Sequence, residues 1–258
     1  MMEKKRNHLF IVLASIFITN AVLAEMIGNK IFSLEKSIGL SSGFINIFGF
    51  QPQFNLTAGV VIWPVVFLLT DVINEYFGKN GVRKLSLIAV AMILYAFMVI
   101  WFTANLSPAE FWLKVNQTDV NGVPFDVNYA FKTIFLQSNR IIIGSLAAFL
   151  VGQLLDVFIF QKLKRFSSGK MIWLRATGST LVSQLVDSFI VLYLAFYLLL
   201  PESQRWSLTQ VGSVGVSNYV YKFIVAILLT PLIYLAHYFI DRYLGKDAER
   251  IKDEAMAS

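Results

Sequence analysis

Apolar runs bounded by charged and turn residues recur along the whole chain. A bilayer-spanning helix needs about 20 mostly apolar residues. Runs of that length lie at about 9–32, 54–77, 82–104, 130–160, 172–200 and 212–240, so the pattern predicts six spanning helices in an all-α polytopic membrane protein. Residues 37–70 and 85–109 carry no charged side chain. Pro64 and Pro231 fall inside two of the runs and are expected to kink them. The last three runs exceed the length required, which predicts tilt or bending.

Composition excludes a soluble enzyme. Hydrophobic residues make up 57% of the 258 and charged residues 15%, with a mean hydropathy of +0.64. Soluble domains hold about 45–50% apolar and 25% charged residues. The basic side chains set orientation. With both termini cytoplasmic, 14 Lys and Arg fall in inside segments, whereas the outer loops hold Lys36, Lys114 and Arg205. This is the positive-inside asymmetry. It explains the net charge of +6 and the pI of about 9.4 without a nucleic-acid partner. No small-residue cleavage site follows a short apolar core at the start, so the first run reads as a span rather than a signal peptide. Without cysteine, and with two histidines, the chain offers no disulfide, thiolate nucleophile or His-rich metal site, and no cofactor is expected. It contains no His-Glu-x-x-His, Gly-x-Ser-x-Gly, phosphate-binding Gly loop or Walker lysine, so it is read as a non-enzyme.

The connectors differ in character. Residues 105–129 read as a polar outer loop. In the outer loop 33–53, the stretch 39–50 is apolar and Gly-rich, yet too broken for a helix. Irregular backbone at membrane depth is tolerated only under protein cover or along a cavity. The stretch therefore reads either as a re-entrant plug or as an interfacial loop. Residues 1–245 form one six-helix domain in this reading, and 246–258 a charged cytoplasmic tail with a frayed helix.

The chemistry lies in polar residues within the spans, where each ionised group costs at least about 2.5–3.5 kcal/mol near the centre and normally faces the bundle interior. Helix one carries Asn20, Glu25, Asn29 and Lys30, and helix two ends with Asp71, Asn74 and Glu75. Helix four has Gln137, Asn139, Arg140, Gln153 and Asp156; helix five Arg175, Gln184 and Asp187; helix six Asn218 and Lys222. Glu25 with Asn29, Asp71 with Glu75 and Asn218 with Lys222 are i,i+4 pairs, and Gln153/Asp156 and Gln184/Asp187 are i,i+3, so each pair shares a helical face. Gln153-Leu-Leu-Asp156-Val-Phe-Ile and Gln184-Leu-Val-Asp187-Ser-Phe-Ile repeat one pattern on successive helices. Topology puts Glu25, Lys30, Arg140 and Lys222 in the outer half, and Asn20, Gln184 and Asp187 near the middle. Asp71, Glu75, Asp156 and Arg175 fall toward the cytoplasm.

Structural roles compete with functional ones. Asp71, Glu75 and Arg175 fit helix-end ion pairs equally well. Gln153 and Gln184, with Ser179, Thr180 and Ser183, also fit interhelical hydrogen-bonding. His237 reads as interfacial. Glu25, Arg140, Asp187 and Lys222 have no packing rationale near the midplane and point to substrate, coupling or gating. Trp63, Phe189 and Tyr219 lie near enough to polar positions to stack on a planar ligand.

The run from Asn55 through Gly59, Trp63-Pro64, Phe67, Thr70-Asp71 and Asn74-Glu75-Tyr76 to Gly78-Lys79, with Arg83 following, resembles the signature of the queuosine precursor transporters, also called the vitamin uptake transporter family. So do Ile27-Gly-Asn-Lys30-Ile-Phe, Gly152-Gln-Leu-Leu-Asp156, the segment from Trp173 through Arg175 and Gln184 to Asp187, and Asn218-Tyr-Val-Tyr-Lys222-Phe. The resemblance spans about residues 18–245. Asn29 departs from it, standing where an apolar residue is expected.

The resemblance implies a six-helix inner-membrane importer of 7-deazaguanine bases such as preQ0 and preQ1, salvaged for tRNA modification. Its partners would be that small molecule and the lipid bilayer, with a homo-oligomer left open. A guanine-like edge offers a ring N–H beside an exocyclic amine, which one carboxylate accepts bidentately while an amide reads the neighbouring carbonyl. Asp187 and Gln184 are expected to bind that edge, with Gln153 and Asp156 as second candidates. Asn20, Glu25, Arg140, Asn218 and Lys222 would complete the cavity. Asp71, Glu75 and Asp156, with Arg175, would form an inner gate or proton site. The alternatives are a binding subunit of an ATP-driven vitamin-type importer and a carrier for another nucleobase or vitamin.

Overall fold

The computed structural model describes residues 2–28, 30–41, 54–136, 139–167 and 171–257. Helix α1 covers Met2–Ile27, and a short β1 (Ile31–Ser33) leads into the one-turn α2 (Leu34–Ser37). Strand β2 (Asn55–Thr57) pairs antiparallel with β1, Ile31 opposite Thr57 and Ser33 opposite Asn55. A 3₁₀ turn at Ala58–Val61 then opens α3 (Trp63–Ala104). The short α4 (Glu110–Val115) and α5 (Val127–Phe135) precede α6 (Asn139–Phe166) and α7 (Ile172–Leu192), and α7 continues through a widened turn at Tyr193–Leu198. The chain ends in α8 (Leu208–Leu244) and α9 (Ala248–Ala257).

Among the described residues, five helices are long and apolar enough to cross a membrane. The sequence reading expects six, and the difference lies in α3. Its 42 residues hold the expected second and third spans in one run. At about 1.5 Å per residue that run would extend about 63 Å if straight, twice the hydrocarbon thickness. It is not straight. Gly78, at φ 67° and ψ −175°, leaves the helical conformation in a region that only glycine occupies without a Cβ penalty, so two helices meet there at a kink. Pro64 does not kink anything, because it sits in the first turn of α3, where its missing N–H costs no hydrogen bond. Pro231 lies inside α8.

The expected second span begins later than its apolar run, since residues 54–62 are strand and 3₁₀ turn rather than α-helix. Glu35 holds this irregular segment in place. Its buried carboxylate accepts the Phe54 backbone N–H at 2.8 Å and the Ser33 hydroxyl at 2.9 Å, closing the base of the β1–β2 pair. The expectation for residues 39–50 falls mostly outside the described residues.

Polarity is distributed inside out, as lipid contact requires. Leu94, Trp101, Phe158 and Leu228 are exposed on the outer faces, whereas Asp71, Asn74, Glu75, Gln153, Asp156 and Gln184 are buried. The helices pack α1 on α3, α6 on α7 and α7 on α8. Small residues allow close approach. A Cβ on Gly152 of α6 would stand 3.6 Å from the Asp187 Cβ of α7, and one on Gly215 of α8 would stand 2.7 Å from the Phe189 ring. The C-terminal segment is an ordered helix rather than a frayed one. Ile251 of α9 is fully buried in the same apolar cluster as Ile73, Tyr76 and Leu244. Burying that face against α3 stabilises a helix whose sequence reads as merely charged.

Candidate substrate cavity

A cavity of about 280 Å³ lies among α1, the β2–3₁₀ segment, α3, α6, α7 and α8. That is close to the lower end of the roughly 300–1,000 Å³ typical of small-ligand sites. Seven of the candidate polar site residues line it: Glu25, Gln153, Asp156, Gln184, Asp187, Asn218 and Lys222. They come from four helices, which is how helical spacing becomes a common interior. Ile31, Asn55, Thr57 and Gly59 line it too, so the non-helical backbone between α1 and α3 borders a cavity, the setting in which such backbone is tolerated at membrane depth.

Aromatic rings wall the cavity at two places. Trp63 stacks on Phe67 with centroids 5.8 Å apart and also meets Phe149 at 5.5 Å. Phe196, from the widened turn after α7, stacks on Trp206 at 4.3 Å. All five rings belong to residues of the lining. Of the aromatics expected to stack on a ligand, Trp63 is therefore in position. Phe189 instead packs against Gly215, and Tyr219 meets Phe223 edge-on.

The polar groups are not equivalent. Lys222 donates to Asp187 across the α7–α8 interface, and the two side chains keep 19% and 18% of their exposure. The Glu25 carboxylate accepts from Ser145 of α6. Gln153 donates from Nε2 to the Thr70 hydroxyl at 3.1 Å, which ties α6 to α3. Asp156 is faced by hydroxyls. Ser183 donates to its Oδ1 at 3.2 Å, Thr180 lies at 3.5 Å from the same oxygen, and Ser179 is a further neighbour. Gln184 is 4% exposed, and its side-chain oxygen finds no hydrogen-bond partner among the described residues.

Other predicted residues lie elsewhere. Asn20 turns back on its own helix, donating to the Ile16 carbonyl at 2.8 Å, and is outside the cavity lining. Arg140 belongs to α6 and Arg175 to α7, but their side chains, like Asn29 and Gln137, lie outside the described residues. Asp71 and Glu75 sit one and two turns beyond Phe67 along α3, away from the cavity and toward α9. There Glu75 pairs with Lys164 of α6 at 3.3 Å, both side chains 2% exposed, and Asn74 accepts from Gln161 at 2.7 Å.

This second polar cluster reaches α8 and α9. The Tyr76 hydroxyl donates to Asp241 at 2.7 Å and lies 3.0 Å from Nδ1 of His237, while Lys252 of α9 contacts Asp241 at 2.9 Å. His237 is thus a buried member of this network. Lys164, Asp241 and Lys252 are hidden in the sequence because charges near span ends look like orientation signals, and Gln161 because a lone amide there looks like an ordinary span-end residue. One signal was present: Lys164 lies eleven residues, three full turns, beyond Gln153 and so continues its face.

The sequence model of the family described as "Putative vitamin uptake transporter" matches residues 57–236. The chain belongs to the vitamin uptake transporter family. Within that family it is similar to a "Probable queuosine precursor transporter" of Bacillus subtilis, at 34% identity over 186 residues that cover 71% of this chain and 73% of the relative. A Haemophilus influenzae protein of the same description is 27% identical over 69% of this chain and 66% of its own length. The Escherichia coli "Queuosine precursor transporter" is 26% identical over 56% and 57%. No solved structure matches. The family match runs from Thr57 in the cavity lining to the residue before His237, and so takes in most of the cavity and much of the second cluster.

Proposed function

We propose that the chain is a carrier, not an enzyme, that imports a queuosine precursor, a 7-deazaguanine base such as preQ0 or preQ1, across the cytoplasmic (inner) membrane. The observation that carries this reading is the cavity: about 280 Å³, enclosed by helices, walled by aromatic rings and supplied with convergent carboxylates and amides. Those are the groups a flat, hydrogen-bonding heterocycle needs. The names of the relatives point to the same substrate class.

In this reading residues 1–245 form one domain with six spans, the kink at Gly78 dividing α3 into the second and third, and both termini are cytoplasmic. Lys79, Arg83 and Lys84 then sit at the inner end of the third span, just after the Gly78 kink, as the positive-inside rule favours. The α9 end of the bundle is the inner end. Glu25, Gln153, Gln184, Asn218 and the Asp187–Lys222 pair surround the substrate, with Arg140 on the same helix as Gln153. The Asp71 and Glu75 cluster, which Arg175 would join, closes the inner side, and alternating access requires its helices to separate while the cavity keeps hold of the base.

Labelled preQ0 and preQ1 offered to proteoliposomes containing only this protein test the proposal. Saturable uptake competed by 7-deazaguanines is the expected result. Binding without flux would instead make the chain a subunit that needs an energising partner, and neither binding nor flux would remove the substrate assignment.

A further inference from the structure

We infer that Asp156, rather than Asp187, is the carboxylate that reads the donor–donor edge of the ligand, the ring N–H and exocyclic amine that lie side by side on a 2-amino-pyrimidinone ring. The inference rests on the proposed function and specifies which groups of the cavity recognise the base.

Asp187 is already engaged. Lys222 already neutralises it across the α7–α8 interface, so it needs a ligand's donors less than a buried carboxylate that is faced by hydroxyls alone among the described residues. Asp156 is 6% exposed, lines the cavity, and its partners among the described residues are hydroxyls. The Ser183 and Thr180 hydroxyls, at 3.2 and 3.5 Å, both meet Oδ1, and the neighbouring Ser179 hydroxyl donates to the Ala176 carbonyl at 3.1 Å, so of about four acceptor positions those on Oδ2 remain for a ligand's donors among the described residues. A buried carboxylate without a cation is costly unless hydrogen bonds satisfy it. Two parallel N–H donors on a neutral ring do so without bringing a second charge into the bundle.

Gln184 supplies an independent observation. It lies one turn from Thr180 on the same face of α7, so it neighbours the hydroxyls that face Asp156. Its buried oxygen has no hydrogen-bond partner among the described residues. An orphaned acceptor beside a carboxylate fits an amine, which has a second proton to donate after the first has gone to the carboxylate. The site so described selects against planar bases that lack the exocyclic amine.

The test is equilibrium binding to the purified full-length protein in detergent. The two probes are 7-cyano-7-deazaguanine and 7-cyano-7-deazahypoxanthine, identical except for the exocyclic amine. The wild type is expected to prefer the amino compound by at least about tenfold, the scale of one hydrogen bond to a charged group. Asp156→Asn should bring the two affinities together, whereas Asp187→Asn should lower both and preserve their ratio. Equal affinity of the wild type for the two probes overturns the inference whether or not any variant folds. Undiminished preference in Asp156→Asn also overturns it. Failure of the wild type to bind either compound would remove the proposed function and this inference with it.

Discussion

Removing one member of the Lys222–Asp187 pair strands the other inside the bundle, and the structure sets the scale of the cost. At an effective dielectric constant near 20, two unit charges at about 4 Å attract by about 4 kcal/mol. Breaking a fully buried pair costs about 3–5 kcal/mol, because the remaining charge keeps its desolvation penalty without its partner. Each side chain here retains nearly a fifth of its exposure through the cavity, which lets water reach the stranded charge. Lys222→Met should therefore destabilise by about 2–3 kcal/mol, at or just below the lower bound of that range. Combining it with Asp187→Asn removes both charges and should recover at least half of the loss. Thermal unfolding in detergent, followed through the intrinsic fluorescence of the five tryptophans, reads this directly. At about 2–4 °C per kcal/mol for a chain of this size class, the single variant should melt about 4–12 °C lower. A wild-type melting temperature for Lys222→Met, or a double variant no better than the sum of the singles, would refute the pairing argument.

Gly215→Ala should lower stability by about 1–3 kcal/mol, since its Cβ would stand 2.7 Å from the Phe189 ring, while Gly212→Ala, with nothing within 4 Å, should not; paired melting curves compare them. Lys164→Met should cost about 3–5 kcal/mol by removing a buried cation from Glu75, with both side chains 2% exposed, and limited proteolysis should then cut near α9 earlier than in the wild type. Burial pushes the Glu35 carboxyl up, but the Phe54 N–H and the Ser33 hydroxyl outweigh it and hold the group below its ordinary value of 4.5. A lowered folded pKa means that the stabilisation is present above the unfolded value and is lost as pH falls through the folded one. Amide exchange at Phe54 should accelerate on acidification below that range, and Glu35→Gln should flatten the dependence; exchange that is pH-independent apart from the intrinsic rate would contradict the assignment.

The helical-face pairs were legible because their spacing alone fixes which side chains lie together. Gln153 with Asp156, Gln184 with Asp187, and Asn218 with Lys222 all reach the cavity. Spacing could not reveal which groups meet across helices. Lys222 taking Asp187, Ser145 donating to Glu25 and Gln153 reaching Thr70 depend on how the helices rotate and pack. Asn20 shows the opposite error, for a polar residue in a span can satisfy itself on its own backbone at i−4. The β1–β2 pair was hidden by apolarity, because Phe54-Asn55-Leu56-Thr57 reads as the start of a span when only hydropathy is counted. The α9 network was hidden by charge. Its apolar face, Ala248, Ile251 and Ala255 at i, i+3 and i+7, is narrow and mostly alanine, which a charged tail does not advertise.

The measurement that tests the account most directly is an experimental structure of the protein with 7-cyano-7-deazaguanine bound. The account predicts the base inside the cavity, its ring against the aromatic walls formed by Trp63 or Trp206, its N–H and amine edge on Asp156, and Lys222 still paired with Asp187. A base seated on the lipid-facing surface or at the α9 cluster, with the cavity among α1, α3, α6, α7 and α8 unoccupied, would contradict it.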